Sequence, residues 1–151
     1  MKRTAENTKG RVRESSTKEA NQKIDEALLH SLKAYLSANK TDLTERIKAL
    51  EKEWDIERVL EVNASTLALS GVLLGAFVNR RWFILPGVVT TFLLQHGVQG
   101  WCPPLPVLRA LGIRSRREIE EEKYALKLLR GDFSPVPIPV TAEQLLELVR
   151  K

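Results

Sequence analysis

The sequence predicts an all-α membrane protein: a transmembrane helical hairpin flanked by amphipathic cytoplasmic helices. Two observations carry this. All 19 acidic residues lie outside residues 62–117, a run of 56 that holds only six basic residues, although 28% of the chain is charged. Within that run lie two uncharged stretches, 62–79 with 18 residues and 82–108 with 27, separated only by Arg80 and Arg81. Each reaches the length at which a membrane span is the default reading. The segments on either side carry apolar residues at helical spacing.

Composition excludes several classes. The 151 residues leave room for one small domain, or a domain with tails, and the net charge of +5 is mild. The single cysteine, Cys102, rules out an intramolecular disulfide and any multi-cysteine zinc or iron–sulfur site. Two histidines, His30 and His96, make a histidine-only metal site improbable, so neither a metal nor a cofactor is expected. There is no dense basic patch with interleaved aromatics, so nucleic-acid binding is not expected. No phosphate-binding glycine loop, H-E-x-x-H or Ser–His–Asp arrangement occurs, and the chain is not read as an enzyme.

Residues 1–23 read as a disordered basic tail. They hold seven Lys/Arg and three Glu, and Val12 is their one sizeable aliphatic residue after Met1. Little there offsets the entropy of ordering, and no apolar segment follows the basic residues as a signal peptide requires. Residues 24–61 read as amphipathic cytoplasmic helices. Ile24, Ala27, Leu28, Leu32, Tyr35 and Leu36 share one face of the first. Asp42 and Glu45 have capping-box spacing for the second, whose Leu43, Ile47, Leu50 and Trp54 form a short seam.

Residues 62–101 are the predicted hairpin. Trp82 and Trp101 bracket its second helix as interface anchors; 19 residues of helix between them span about 28 Å, near the hydrocarbon thickness. Pro86 falls in the first turn, where a missing N–H is harmless. Ala64, Ala68, Gly71 and Gly75 share one face and include a G-x-x-x-G pair, the pattern that lets helices approach closely in lipid. This face is expected to pack helices together and to support a homo-oligomer. Within about 20 residues of Val62 and Trp101 the flanks carry eight Lys/Arg against two in the loop, so both termini are expected in the cytoplasm.

Residues 102–133 read as a proline-rich turn and a charged cytoplasmic helix. Pro103, Pro104 and Pro106 end the second span, Gly112 closes a short turn, and Ser115 with Glu118 forms a capping box for a helix that stops at Gly131. Residues 134–151 read as a proline-rich linker and a short terminal helix capped by Thr141 and Gln144, carrying Leu145, Leu146 and Val149.

Cys102 is the candidate reactive thiol. It sits beside Trp101 just past a helix C-terminus, where the dipole raises a thiol pKa and Arg109 could offset it. Gln95, His96 and Gln99 are polar near the cytoplasmic end of the second span, where hydrogen bonding between helices is the plainer reading. Arg130-Gly131-Asp132 spells an adhesion tripeptide by chance.

Gly100-Trp101-Cys102-Pro103 after an apolar helix, followed by Leu108-Arg109-Ala110-Leu111-Gly112, resembles the YgaP-like transmembrane domain family. Glu53 to Arg58 upstream, and Tyr124 to Lys127 with Leu129 to Phe133 downstream, look like a subgroup with longer flanks. The resemblance implies a two-helix domain of the bacterial inner membrane, often self-associating and without an assigned activity. Some relatives fuse it to a rhodanese sulfurtransferase domain; this chain has no room for one, and Cys102 does not sit in such an active-site loop. The expected function is therefore an integral inner-membrane anchor or interaction module. Its partners would be the lipid bilayer, a second copy and an unidentified cytoplasmic protein. The alternative is a sulfur-carrying or redox-sensing role for Cys102.

Overall fold

Side-chain caps set most of the helix starts. In the computed structural model, which describes residues 10–133 and 141–150, all regular structure is helical. A single turn, α1 (Arg11–Glu14), precedes α2 (Lys18–Tyr35), where the Thr17 hydroxyl accepts the Ala20 N–H. Asn39 caps α3 (Lys40–Lys52) and Asp55 caps α4 (Ile56–Phe77) by accepting the Arg58 N–H. A 3-10 turn, Arg80–Phe83, leads into α5 (Ile84–Gln99). α6 (Leu105–Ala110), α7 (Arg116–Arg130) and α8 (Ala142–Arg150) follow. The capping box of Ser115 and Glu118 is formed, as is the reciprocal pair of Thr141 and Gln144.

Three expectations need correction. From Gly10 onward the tail is ordered: Val12 is buried, and α2 begins at Lys18. Residues 1–9, the proline-rich linker at 134–140 and the Val149 side chain lie outside the described residues. The cap of α3 is Asn39 rather than Asp42, because the Asn39 side chain accepts the Asp42 N–H at 2.9 Å. The seam of α3 holds for Leu43, Ile47 and Leu50 but not for Trp54. Glu53 takes an extended conformation and ends the helix. Trp54 is left 47% exposed, with the Arg58 guanidinium 4.4 Å over its ring.

α7 is the centre of a bundle and packs on α2, α3 and α8. Leu28 and Leu32 of α2, Ile47 and Leu50 of α3, Leu126 of α7 and Leu145 of α8 meet in its core. Burying each of these side chains contributes roughly 1.5–3 kcal/mol relative to exposure. A second cluster joins Val12, Ile56, Leu60, Cys102 and Leu105 beneath α4 and α5. The Ile56 N–H donates to the Arg114 carbonyl at 2.9 Å, tying the base of α4 to the approach to α7.

α4 and α5 pair with each other, and the 3-10 turn packs against α4. The stretch ending in α4 is the one among the described residues that is long and apolar enough to cross a membrane. Its 18-residue window has a mean hydropathy of 1.5, and 17% of it is buried. α5 is shorter, at 16 residues, than the stretch 82–108 suggested. It ends at Gly100, which takes a left-handed conformation with φ 76°.

Candidate functional site

The small-residue face of α4 does its packing within the hairpin. Gly71 and Gly75 are buried, while Ala64 and Ala68 are half-buried. A Cβ on Gly71 would lie 2.5 Å from Pro86 Cδ, and one on Gly75 would lie 2.9 Å from the Phe83 ring. Glycine is needed at both positions because the returning chain occupies the space a side chain would take. The expectation that this face joins two copies is therefore revised at Gly71 and Gly75, which Pro86 and the Phe83 ring already cover; Ala64 and Ala68 remain half-buried.

The outward faces of the hairpin are apolar. Leu69 is 60% exposed, Phe77 84% and Leu94 69%, and Ile84 and Val98 are similarly open. Several polar side chains on the hairpin bond back along their own helix. Thr66 Oγ1 donates to the Val62 carbonyl at 2.7 Å, Ser70 Oγ to Thr66 at 2.8 Å and Thr91 Oγ1 to Gly87 at 2.8 Å. Asn63 Nδ2 donates to the Val59 carbonyl at 2.9 Å. Hydroxyls bonded back one turn make no demand on water. Trp82 sits in the 3-10 turn at the tip and Trp101 just past α5, both partly exposed at opposite ends of the hairpin. Arg80 and Arg81 are exposed at the tip.

The first residues of the described chain close the other end of α5. The Arg11 guanidinium donates to the Gly97 carbonyl, and Ser15 Oγ donates to Gln99 at 3.3 Å. A basic side chain there meets carbonyls that have no partner within the helix and the negative end of its dipole. The approach is close: a Cβ on Gly100 would lie 2.6 Å from Arg11 Cβ.

Between α4 and α5 near this end lie two adjoining cavities. One, of about 460 Å³, is lined chiefly by Ala64, Leu67, Val89 and Phe92, with Cys102 and Pro103 at its floor. The other, of about 660 Å³, carries the charged side chains of Arg11, Glu57, Glu61, Arg116 and Arg117. Leu60, Leu93 and His96 line both. His96 Nδ1 is buried and has no hydrogen-bond partner. Gln95 Nε2 reaches Gln99 Oε1 at 3.4 Å along the same helix, so this pair bonds within α5 rather than across to α4.

Beneath the cavities is a buried ion network that joins the hairpin's base to the bundle. Arg109 holds Glu118 through two hydrogen bonds, at 2.7 and 2.8 Å, and both residues are buried. Arg13 reaches the same carboxylate at 2.9 Å, and Asn21 accepts from Arg109 at 2.7 Å. One turn along α7, the buried Glu122 takes the Ser31 hydroxyl at 2.6 Å and the guanidiniums of Arg46 and Arg114. Burial raises the Glu118 carboxyl, but hydrogen bonds from Arg109 and the Ser115 backbone outweigh it and hold the pKa at about 2. Glu122 is lowered in the same way: burial opposes ionisation, and Ser31, Arg114 and Arg46 overcome it. In the sequence Glu118 shows only as a cap and Arg109 only as a neighbour of Cys102, because the pairing of α2, α3, α6 and α7 that makes them partners is non-local.

Cys102 is buried in the apolar cluster, and burial pushes its thiol up, partly opposed by the Leu105 backbone N–H. Arg109 is committed to Glu118, Asn21 and the Ile113 carbonyl. A buried thiol with a raised pKa is the reverse of what a nucleophile or redox sensor needs. Among the described residues, no group of His, Cys, Asp and Glu side chains could hold a metal ion. No family model matches the chain, and neither a curated protein nor a solved structure is significantly similar to it.

Proposed function

We propose that the chain is an integral membrane module: α4 and α5 cross the bilayer as a hairpin, and the bundle of α2, α3, α7 and α8 stands on one side of it. The observation that carries this is the concentration of exposed apolar side chains on the paired helices, from Leu67 to Val98, beside a bundle that has a buried apolar core and only scattered exposed ones such as Leu36 and Tyr124. Each large apolar side chain moved from water into lipid contributes roughly 1.5–3 kcal/mol. Water offers the hairpin no such gain, and monomeric soluble proteins rarely leave contiguous apolar surface of this extent open. The segments before and after the hairpin pack into one bundle, as two crossings require. The resemblance of Gly100 to Pro103 to the YgaP-like transmembrane domain favours the bacterial inner membrane, and the positive flanks favour a cytoplasmic bundle. The module would work as an anchor, with the bundle surface offered to a cytoplasmic partner.

Washing membranes of expressing cells with alkaline carbonate tests the reading. The full chain should remain in the pellet until detergent is added. Release by carbonate alone would mean that residues 56–99 only rest on a surface or pack against another protein.

A further inference from the structure

The geometry points to a phospholipid-binding site at the base of the hairpin, where the smaller cavity takes an acyl chain and the larger takes the headgroup phosphate. The inference rests on the membrane reading and goes beyond it. The cavity of about 460 Å³ lies between α4 and α5 and is lined chiefly by apolar side chains such as Ala64, Leu67, Val89 and Phe92, with Asn63 bonded back to the Val59 carbonyl. An acyl chain is the occupant that matches such a lining beside lipid, since a polar ligand would find few partners there. At the cytoplasmic end the lining changes character. His96 sits where the two cavities meet, with its Nδ1 buried and unpartnered.

The larger cavity offers guanidinium groups to a phosphodiester. Arg11, Arg116 and Arg117 line it together with Glu57 and Glu61. The arginines are not all committed. Arg116 lies 3.6 Å from Asp55 and 3.9 Å from Glu120, and Arg117 meets Glu121 at 3.3 Å; both side chains are more than a third exposed. They can turn toward a phosphate with small loss. Arg11 already reaches the end of α5 through the Gly97 carbonyl. Guanidinium and phosphate form strong, oriented hydrogen bonds.

The test uses the full chain in non-ionic detergent, stripped of lipid and titrated with palmitoyl-oleoyl phosphatidylglycerol under native mass spectrometry. Wild type should saturate at one lipid per chain. Ala64→Phe fills the cavity and should weaken binding about tenfold or more. Leu69→Phe, on the outward face, should leave binding unchanged. The double variant Arg116→Gln/Arg117→Gln should weaken it severalfold and flatten its salt dependence. Circular dichroism and carbonate resistance of each variant check that the fold and insertion persist. Equal affinity for wild type and a folded Ala64→Phe would overturn the site, as would non-saturating uptake by a wild-type chain that resists carbonate. A change in oligomer mass with Ala64→Phe would assign the cavity to a second copy and overturn it too. Inorganic phosphate competing as well as the lipid would reduce the site to an anion pocket and remove the acyl chain. Release of wild type by carbonate would overturn the membrane reading first and this inference with it.

Discussion

At the scale of single residues, the buried pairs on α7 control stability. Glu118 has a folded pKa of about 2 against an ordinary value of 4.5, so its carboxylate stabilises the fold fully above about pH 4.5. That contribution falls as pH drops from 4.5 toward 2, where folded and unfolded states bind the proton alike. Denaturant titrations across this window, read by bundle helicity in detergent, should show stability declining with acid. A flat profile between pH 5 and 2 would contradict the assignment. Arg109→Met leaves Glu118 buried with Arg13 as its remaining guanidinium partner, and the expected loss is about 3–5 kcal/mol, as for other broken buried pairs. Gly100 carries a second residue-scale prediction. Its φ of 76° and the contact with Arg11 both exclude a side chain, so Gly100→Ala should cost at least about 1–2 kcal/mol. Melting temperatures of the two proteins in the same detergent measure it.

At the scale of elements, the hairpin depends on close approach at Gly71 and Gly75. Gly71→Ile must displace Pro86, whose ring cannot turn aside as a flexible side chain would. It should open α4 from α5 and lower the melting temperature while leaving oligomer size unchanged; sedimentation in detergent separates the two effects. A changed oligomer with an intact melting point would return this face to contact between copies. How far the elements were legible follows from what each depends on. The uncharged stretches, the Ser115–Glu118 box and the glycine stops are local signals, and the helices of the hairpin and α7 follow them. The start of α2 at Lys18 was not legible because its cap, Thr17, lies among polar residues with no apolar period behind them. The burial of Val12 is not legible in its own segment, because it depends on Ile56, Leu60 and Cys102, more than forty residues away. Pattern could place Ala64, Ala68, Gly71 and Gly75 on one face, but not say which helix would cover it. The ion network depends in the same way on which helices meet, since arginines and glutamates on amphipathic helices more often face water.

At the scale of the molecule, the central claim is that the chain crosses the bilayer twice and returns to the side it left. Among the described residues most of the large exposed apolar side chains lie on α4, α5 and their connection, while the charged network and the bundle lie at the opposite end from Arg80 and Arg81. Placing the bundle in the cytoplasm puts those two arginines outside, against the general bias but outnumbered by the flanks. The measurement that bears most directly on this is side-specific labelling. In a Cys102→Ala background, single cysteines are placed at Asn79 in the tip and at Gln22 in the bundle, and intact spheroplasts are treated with a membrane-impermeant maleimide. The account predicts labelling of the Asn79→Cys protein in intact spheroplasts, and of the Gln22→Cys protein only after the membrane is broken. Equal labelling of both before lysis, or protection of both until lysis, would place tip and bundle on the same side and contradict a hairpin that spans the membrane.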